Sequence, residues 1–353
     1  MRLVNQRLAR SEFRSAANVV GWLGAVQAQD YAGAKWAIGL RAKGLIDADV
    51  EQAFNDGAIL RTHILRPTWH FVTPADIRWM LTISGPRVHA ANAYFYRWLE
   101  IDRDVASRSR RLIERALSRG THLTRAELGA ALGRGGIAAT GSRLAGLMMR
   151  AELDGVICSG ARRGGQFTYA LLDERAPRAK PLGREEALAE LTRRYFASHG
   201  PATLRDYVWW SGLTVKDART GVEAAGAALQ EHLLDDRSYW SARTSAFRAG
   251  PSSTYLLPNY DEYLVAYCDR EALVMPHRRG LSGPRASDVL SNSVVIDGVV
   301  TGTWTKAARP GGVRVKVVPH ARLTPAGGRA VKAAADRYGK FLDLPVDVSS
   351  VTA

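Results

Sequence analysis

His122-Leu123-Thr124-Arg125-Ala126-Glu127-Leu128 reads as a helix start, with Thr124 as cap and Glu127, three places on, returning a bond to the cap. An amphipathic helix precedes it over Ser107 to Arg119, and a third helix is predicted to begin near Thr140. Along that third helix Leu144, Leu147, Met148 and Ala151 form one apolar stripe, leaving Ser142, Arg143, Met149 and Arg150 off it. Two strands follow, Val156-Ile157-Cys158 and Phe167-Thr168-Tyr169-Ala170-Leu171-Leu172, joined by the basic, glycine-rich Ser159-Gly160-Ala161-Arg162-Arg163-Gly164-Gly165. Three helices followed by a basic β-hairpin make a winged helix.

The same plan recurs on both sides. Downstream, helices over Glu185 to Ser198, Thr203 to Trp210 and Thr214 to Leu229 precede a strand at Ser238 to Ala242. Upstream, Ser11 to about Gln27, Lys35 to Arg41 and Val50 to Asp56 give helices, and Arg61 to Leu65 and Pro67 to Val72 give strands. Ala176-Pro177-Arg178-Ala179-Lys180-Pro181 is a linker. Near the end, Ser293 to Trp304 reads as a hairpin turning at Asp297-Gly298. A second hairpin runs through Lys306, turns near Pro310-Gly311-Gly312 and returns along Val313-Arg314-Val315-Lys316-Val317, where valines alternate with cations. Pro325 to Phe341 closes the chain as a helix. The expected architecture is α+β. Three tandem winged-helix units occupy 1–103, 104–176 and 182–250, and a hairpin-rich segment with a closing helix occupies 251–353.

Over 353 residues the net charge is +15, which favours a polyanionic partner. The cations are mostly arginine, which suits phosphate contacts and equally suits a GC-rich genome. Cys158 and Cys268 lie far apart and without metal-ligand spacing, so neither a disulfide framework nor a zinc site is expected. The N-terminus carries no signal-like apolar core, and no uninterrupted apolar run approaches about 18 residues. The expected setting is the cytoplasm, without membrane attachment, metal or cofactor, and the expected state is a monomer. Gly133-Arg134-Gly135-Gly136 is not followed by the Lys-Thr pattern of a phosphate-binding loop.

Gln27-Ala28-Gln29 places two neutral amides two positions apart in an apolar stretch. On a helix they would point roughly 200° apart, so they converge only at a helix end or in an extended turn. Gly24 on one side and Asp30 and Gly33 on the other supply such a break. Together with the tandem winged helices, Thr68-Trp69-His70 and Leu256-Leu257-Pro258-Asn259-Tyr260-Asp261-Glu262-Tyr263, the motif resembles the AlkZ-type DNA glycosylases of the helix-turn-helix 42 superfamily, in the branch with a Gln-hydrophobe-Gln motif. That resemblance implies a C-shaped clamp of three winged helices on duplex DNA, with both glutamines in a basic concave face. It also implies hydrolysis of the N-glycosidic bond of alkylated purines, including bulky adducts and interstrand cross-links made by natural genotoxins.

The residues suit that chemistry. A guanine alkylated at N7 is already cationic and leaves as a neutral base, so a carboxylate acid is optional. What remains is to orient a water and stabilise an oxocarbenium-like sugar, which preorganised amides can do. Gln29 is expected to position the water and Gln27 to bind it or the deoxyribose, with the two roles open to exchange. Asp30 is either an electrostatic helper or a helix cap. Thr68 and His70 either line the cleft or serve the strand. Arg61, Arg66, Arg143, Arg150, Arg162 and Arg163 are candidate DNA contacts, as are Lys306, Arg309, Arg314 and Lys316 on a hairpin slender enough for a minor groove. Solvated surface charge is the alternative for Arg61 and Arg66, and an exposed edge made soluble by charge is the alternative for the hairpin. Lys35 is the one lysine near Gln27 in sequence, which argues against Schiff-base lyase chemistry. A winged-helix transcriptional regulator and a non-catalytic protein that shields a lesion or sequesters a drug remain as alternatives. Against the regulator, Gly141, Gly146 and Met149 make the third helix a poor base reader.

Overall fold

The computed structural model describes residues 1–178, 181–243, 253–270, 273 and 291–350. Ala179 and Lys180 of the linker, and the boundary at 250–251, lie outside the described residues. The chain opens with α1 (Arg2–Asn5), α2 (Ala16–Leu23), β1 (Val26–Gln27), α3 (Tyr31–Gly39), α4 (Asp47–Asn55), β2 (Leu60–Ile64) and β3 (Arg66–Val72). The helix expected to reach Gln27 stops at Leu23. Ser15 caps its start, and Gly24 turns the chain out of it at φ +82, where a side chain would be strained. The next residues are therefore extended, and β1 joins an antiparallel sheet in the order β1-β3-β2.

Next come α5 (Ile77–Ala91), α6 (Ala93–Trp98), α7 (Arg103–Leu117), β4 (Leu123–Thr124), α8 (Arg125–Arg134), α9 (Gly141–Leu153), β5 (Ile157–Ser159), β6 (Thr168–Leu171) and α10 (Leu172–Arg175). The capping box at Thr124 and Glu127 forms as its spacing demands. Helices α7, α8 and α9 followed by β5 and β6 reproduce the expected order. Helix α9 is more enclosed than its stripe suggested, because Met149 is buried too and shares a cavity of about 100 Å3 with Trp69, Phe95 and Tyr169. Gly146 permits the opposite contact, since a Cβ there would lie 2.6 Å from Leu99.

The remaining elements are α11 (Arg184–His199), α12 (Leu204–Ser211), α13 (Val215–Ala225), β7 (Leu229–Leu234), β8 (Arg237–Ala242), β9 (Thr254–Leu257), α14 (Glu262–Val265), β10 (Ser293–Ile296), β11 (Val299–Arg309), β12 (Gly312–Pro319), α15 (Pro325–Leu342) and β13 (Val346–Ser350). Leu229, expected to end a helix, instead begins β7. Asp235 and Asp236, both at positive φ, turn the chain into β8. Strands β9 to β13 form one sheet in the order β13-β12-β11-β10-β9, parallel only between β12 and β13.

The cores cross these segments. Leu60, Ile64 and Met80 share one with Leu188, Tyr195 and Trp210, and Val20, Leu23, Val26 and Ala28 share another with Trp304, Val315 and Phe341. Arg41, fully buried, forks onto both oxygens of Asp261 at 2.8 and 2.7 Å and also reaches Gln6. Trp36 and Trp304 donate to the carbonyls of Leu256 and Leu257. The turn at 258–262 is thereby fixed behind β1.

Candidate active site

Strand β1 pairs Gln27 with His70 on β3, and the ladder continues as the Ala28 N–H donates to the Trp69 carbonyl at 2.8 Å. An extended backbone alternates its side chains. Val26 and Ala28 enter the core while Gln27 and Gln29 share the opposite face. Gln27 is 7% exposed and Gln29 is open to solvent. The Gln27 Oε1 accepts from Arg66 Nη2 at 3.0 Å, and the Gln29 Oε1 meets the Trp69 N–H at 3.5 Å. Asp30 caps α3 by accepting from the Gly33 N–H at 3.1 Å.

Behind Gln27 lies Glu262, a carboxylate with no role expected from the sequence. One oxygen accepts the Gln27 N–H at 2.8 Å, and the other accepts the Trp210 indole N–H at 2.9 Å and lies 3.4 Å from His199. Burial alone would raise its pKa, but His199 and the Gln27 N–H outweigh that and hold the carboxyl below its ordinary range. Its signal in the sequence is a glutamate followed at once by Tyr263-Leu264-Val265, although nothing there reveals its partner 235 residues away.

His70 is fully buried, and burial, reinforced by Arg66, depresses its pKa to about 3. Its Nδ1–H donates to the Thr68 carbonyl, while its Nε2 and the Thr68 hydroxyl have no partner among the described residues. The unfolded chain takes up a proton at this site below about 6.5 and the folded chain only near 3. Stability present at neutral pH should therefore fall by roughly 1.4 kcal/mol for each unit below about 6.5. Urea titrations should show about 2 kcal/mol less loss of stability between pH 7 and 5 in His70→Asn than in wild type. Equal losses would mean that His70 titrates normally.

The candidate DNA contacts divide. Arg61 is not available to a phosphate: its guanidinium lies inward between the rings of Trp69 and Phe167, at 4.3 and 4.7 Å, and its Nε donates to the Ala28 carbonyl. Strand β2 is buried along its whole length, so a basic residue on it becomes a strut for the motif. Arg66 is half-buried and committed to Gln27. Arg143 reaches the carbonyls of Ala138 and Glu100, Arg150 pairs with Asp154 at 3.7 Å over the Tyr96 ring, Arg162 pairs with Glu51 at 3.2 Å, and Arg163 pairs with Glu127. Along the β11–β12 hairpin, Lys306, Arg309, Arg314 and Lys316 are all exposed, with Arg314 lying 3.3 Å from Asp347. Lys35 is buried between Asp47 and Glu51, each at 2.7 Å, and offers no free amine to the site.

Residues 20–341 match a family of DNA glycosylases, enzymes that work on DNA. The chain belongs to that family, the AlkZ-like DNA glycosylases. It is 27% identical over 330 residues to a protein of Streptomyces sahachiroi named interstrand DNA cross-link repair glycosylase, with 82% of each chain covered. It also shares the fold of the solved Streptomyces sahachiroi DNA glycosylase AlkZ, with a TM-score of 0.81 and 23% identity over 99% of this chain and 97% of that one.

Proposed function

We propose that this DNA glycosylase releases alkylated purines from duplex DNA, in particular bulky N7-alkylguanine adducts and interstrand cross-links left by a natural genotoxin. The observation that carries the reading is the pair of amides on one strand face, with Gln29 open to solvent rather than sealed in a pocket. Strands tied by a cross-link cannot deliver a flipped nucleotide to a closed pocket, whereas an open face can meet the lesion within the duplex. The cross-link repair named for the relative supports the same direction. Three units at 1–103, 104–176 and 182–250, with the segment 251–353, would clamp the duplex around this face. The enzyme would act as a monomer in the cytoplasm, without a metal or cofactor, and would leave an abasic site without nicking it. No helix among the described residues is long and apolar enough to cross a membrane.

Base release from duplexes carrying a defined small or bulky N7-alkylguanine, or a cross-link, tests the reading. Tight lesion binding without release would instead support shielding. A regulator reading is disfavoured by α9, the helix it would lay in the major groove, because eight of its thirteen residues are buried.

The hairpin cations should act through the phosphate backbone. Among the described residues Arg309 and Lys316 form no ion pair, so replacing either by alanine should reduce the slope of log affinity against log salt by about one while leaving release at saturating DNA unchanged. Anisotropy titrations across a salt series measure this. An unchanged slope would remove the hairpin from the DNA interface.

A further inference from the structure

We propose that Arg66 is a positioning residue: it locks the Gln27 amide so that only its NH2 group faces the cleft, which leaves Gln29 as the acceptor that orients the attacking water. This rests on the glycosylase reading above and assigns the two glutamines unequal parts.

A guanidinium has five donors and no acceptor, so the Gln27 atom that Arg66 Nη2 meets at 3.0 Å must be the carbonyl oxygen. Gln27 is held from both sides, by Arg66 on its side chain and by Glu262 on its backbone N–H. Arg66 is itself steered by the Trp209 carbonyl, 3.4 Å from its Nη1, and by its place on β3 beside β1. The Nε2 of Gln27 has no protein partner among the described residues and is a donor only. Gln29 differs. Its Oε1 lies 3.5 Å from the Trp69 N–H, at the outer edge of hydrogen bonding, so it is open to a stronger donor.

In the reaction a water oxygen bonds to C1′ while the C1′–N9 bond breaks. The electron pair leaves on the alkylated purine, which departs neutral, and the water's spare proton passes to solvent. A water in line with C1′ needs an acceptor for its O–H, and Gln29 Oε1 supplies one. Gln27 Nε2–H donates to an oxygen of the deoxyribose or its phosphate. The same geometry explains why Arg66, next to the motif, is not free to hold the backbone directly.

Single-turnover release and lesion-DNA affinity are compared for wild type, Arg66→Met, Arg66→Lys, Gln27→Ala and the double variant Arg66→Met/Gln27→Ala. Arg66→Met should slow release about 10–10²-fold while affinity moves less than about threefold. Arg66→Lys, which keeps a donor and carries the test should Arg66→Met fail to fold, should recover part of the rate. The double variant should be no slower than Gln27→Ala alone. Losses that multiply, or an Arg66→Met effect confined to affinity and its salt slope, would overturn the proposal. If wild type releases no base, the glycosylase reading fails separately, and the contact is then read from the Gln27 side-chain amide resonance, assigned by its loss in Gln27→Ala. It should shift in Arg66→Lys, and an unmoved resonance would overturn the proposal too.

Discussion

Gln29→Ala should slow base release by about 10²–10³-fold and Gln27→Ala by about 10–10³-fold, each with lesion DNA still bound. These losses follow from what the amides replace. A cationic purine needs no proton to leave, so the barrier lies in placing a water against C1′ and tolerating charge on the sugar. A hundredfold loss corresponds to about 2.7 kcal/mol of transition-state stabilisation, within the reach of one preorganised polar group. Preorganisation is visible in the backbone: Ala28 is buried and tied to Trp69 and Arg61, so the flanking glutamines leave the strand in a fixed direction unless the ladder breaks. On the proposed roles, in which both residues serve one water and one sugar, the double variant should lose less than the product of the single losses. Single-turnover release on an N7-alkylguanine duplex, at DNA concentrations well above Kd, is the measurement. Variants that retain full rates would place the chemistry elsewhere.

Local signals were legible and long-range ones were not. The capping box at Thr124 and Glu127, and the valines at 313, 315 and 317, report geometry set within a few residues, and the structure keeps both. Gly24 marked the break before the glutamines, yet the helical pattern of the preceding stretch hid where the helix ends; only its φ of +82 decides that. Arg61 and Arg66 read as surface cations because a strand in isolation shows no third dimension. The burial of β2 on both faces, with Ser159 accepting the Arg61 N–H at 2.8 Å, arises from the packing of the middle unit against it. Helix α5 carries Pro86 in its interior, a residue that locally argues for a break. Glu262 is the largest omission, since its partners at 27, 199 and 210 come together only in the folded chain.

Glu262→Ala should cost about 3–5 kcal/mol of folding stability and, in whatever fraction stays folded, should slow base release as well. The carboxylate is fully buried and accepts from the Gln27 N–H and the Trp210 indole, so its removal leaves two buried donors without a partner. Glu262→Gln does not repair this, because its NH2 would face one of the two donors whichever way the amide turns. The sign with pH follows from the lowered pKa: the contribution is complete above the unfolded value of about 4.3 and is lost as pH falls through the lower folded value. At neutral pH the deficit should therefore be at its full size. The functional loss has a separate origin, since Glu262 fixes the Gln27 backbone that places its amide. Urea unfolding measures the first effect and single-turnover release by the folded variant the second. A stable Glu262→Ala protein with an unchanged rate would show that β1 holds the glutamines without the carboxylate behind it.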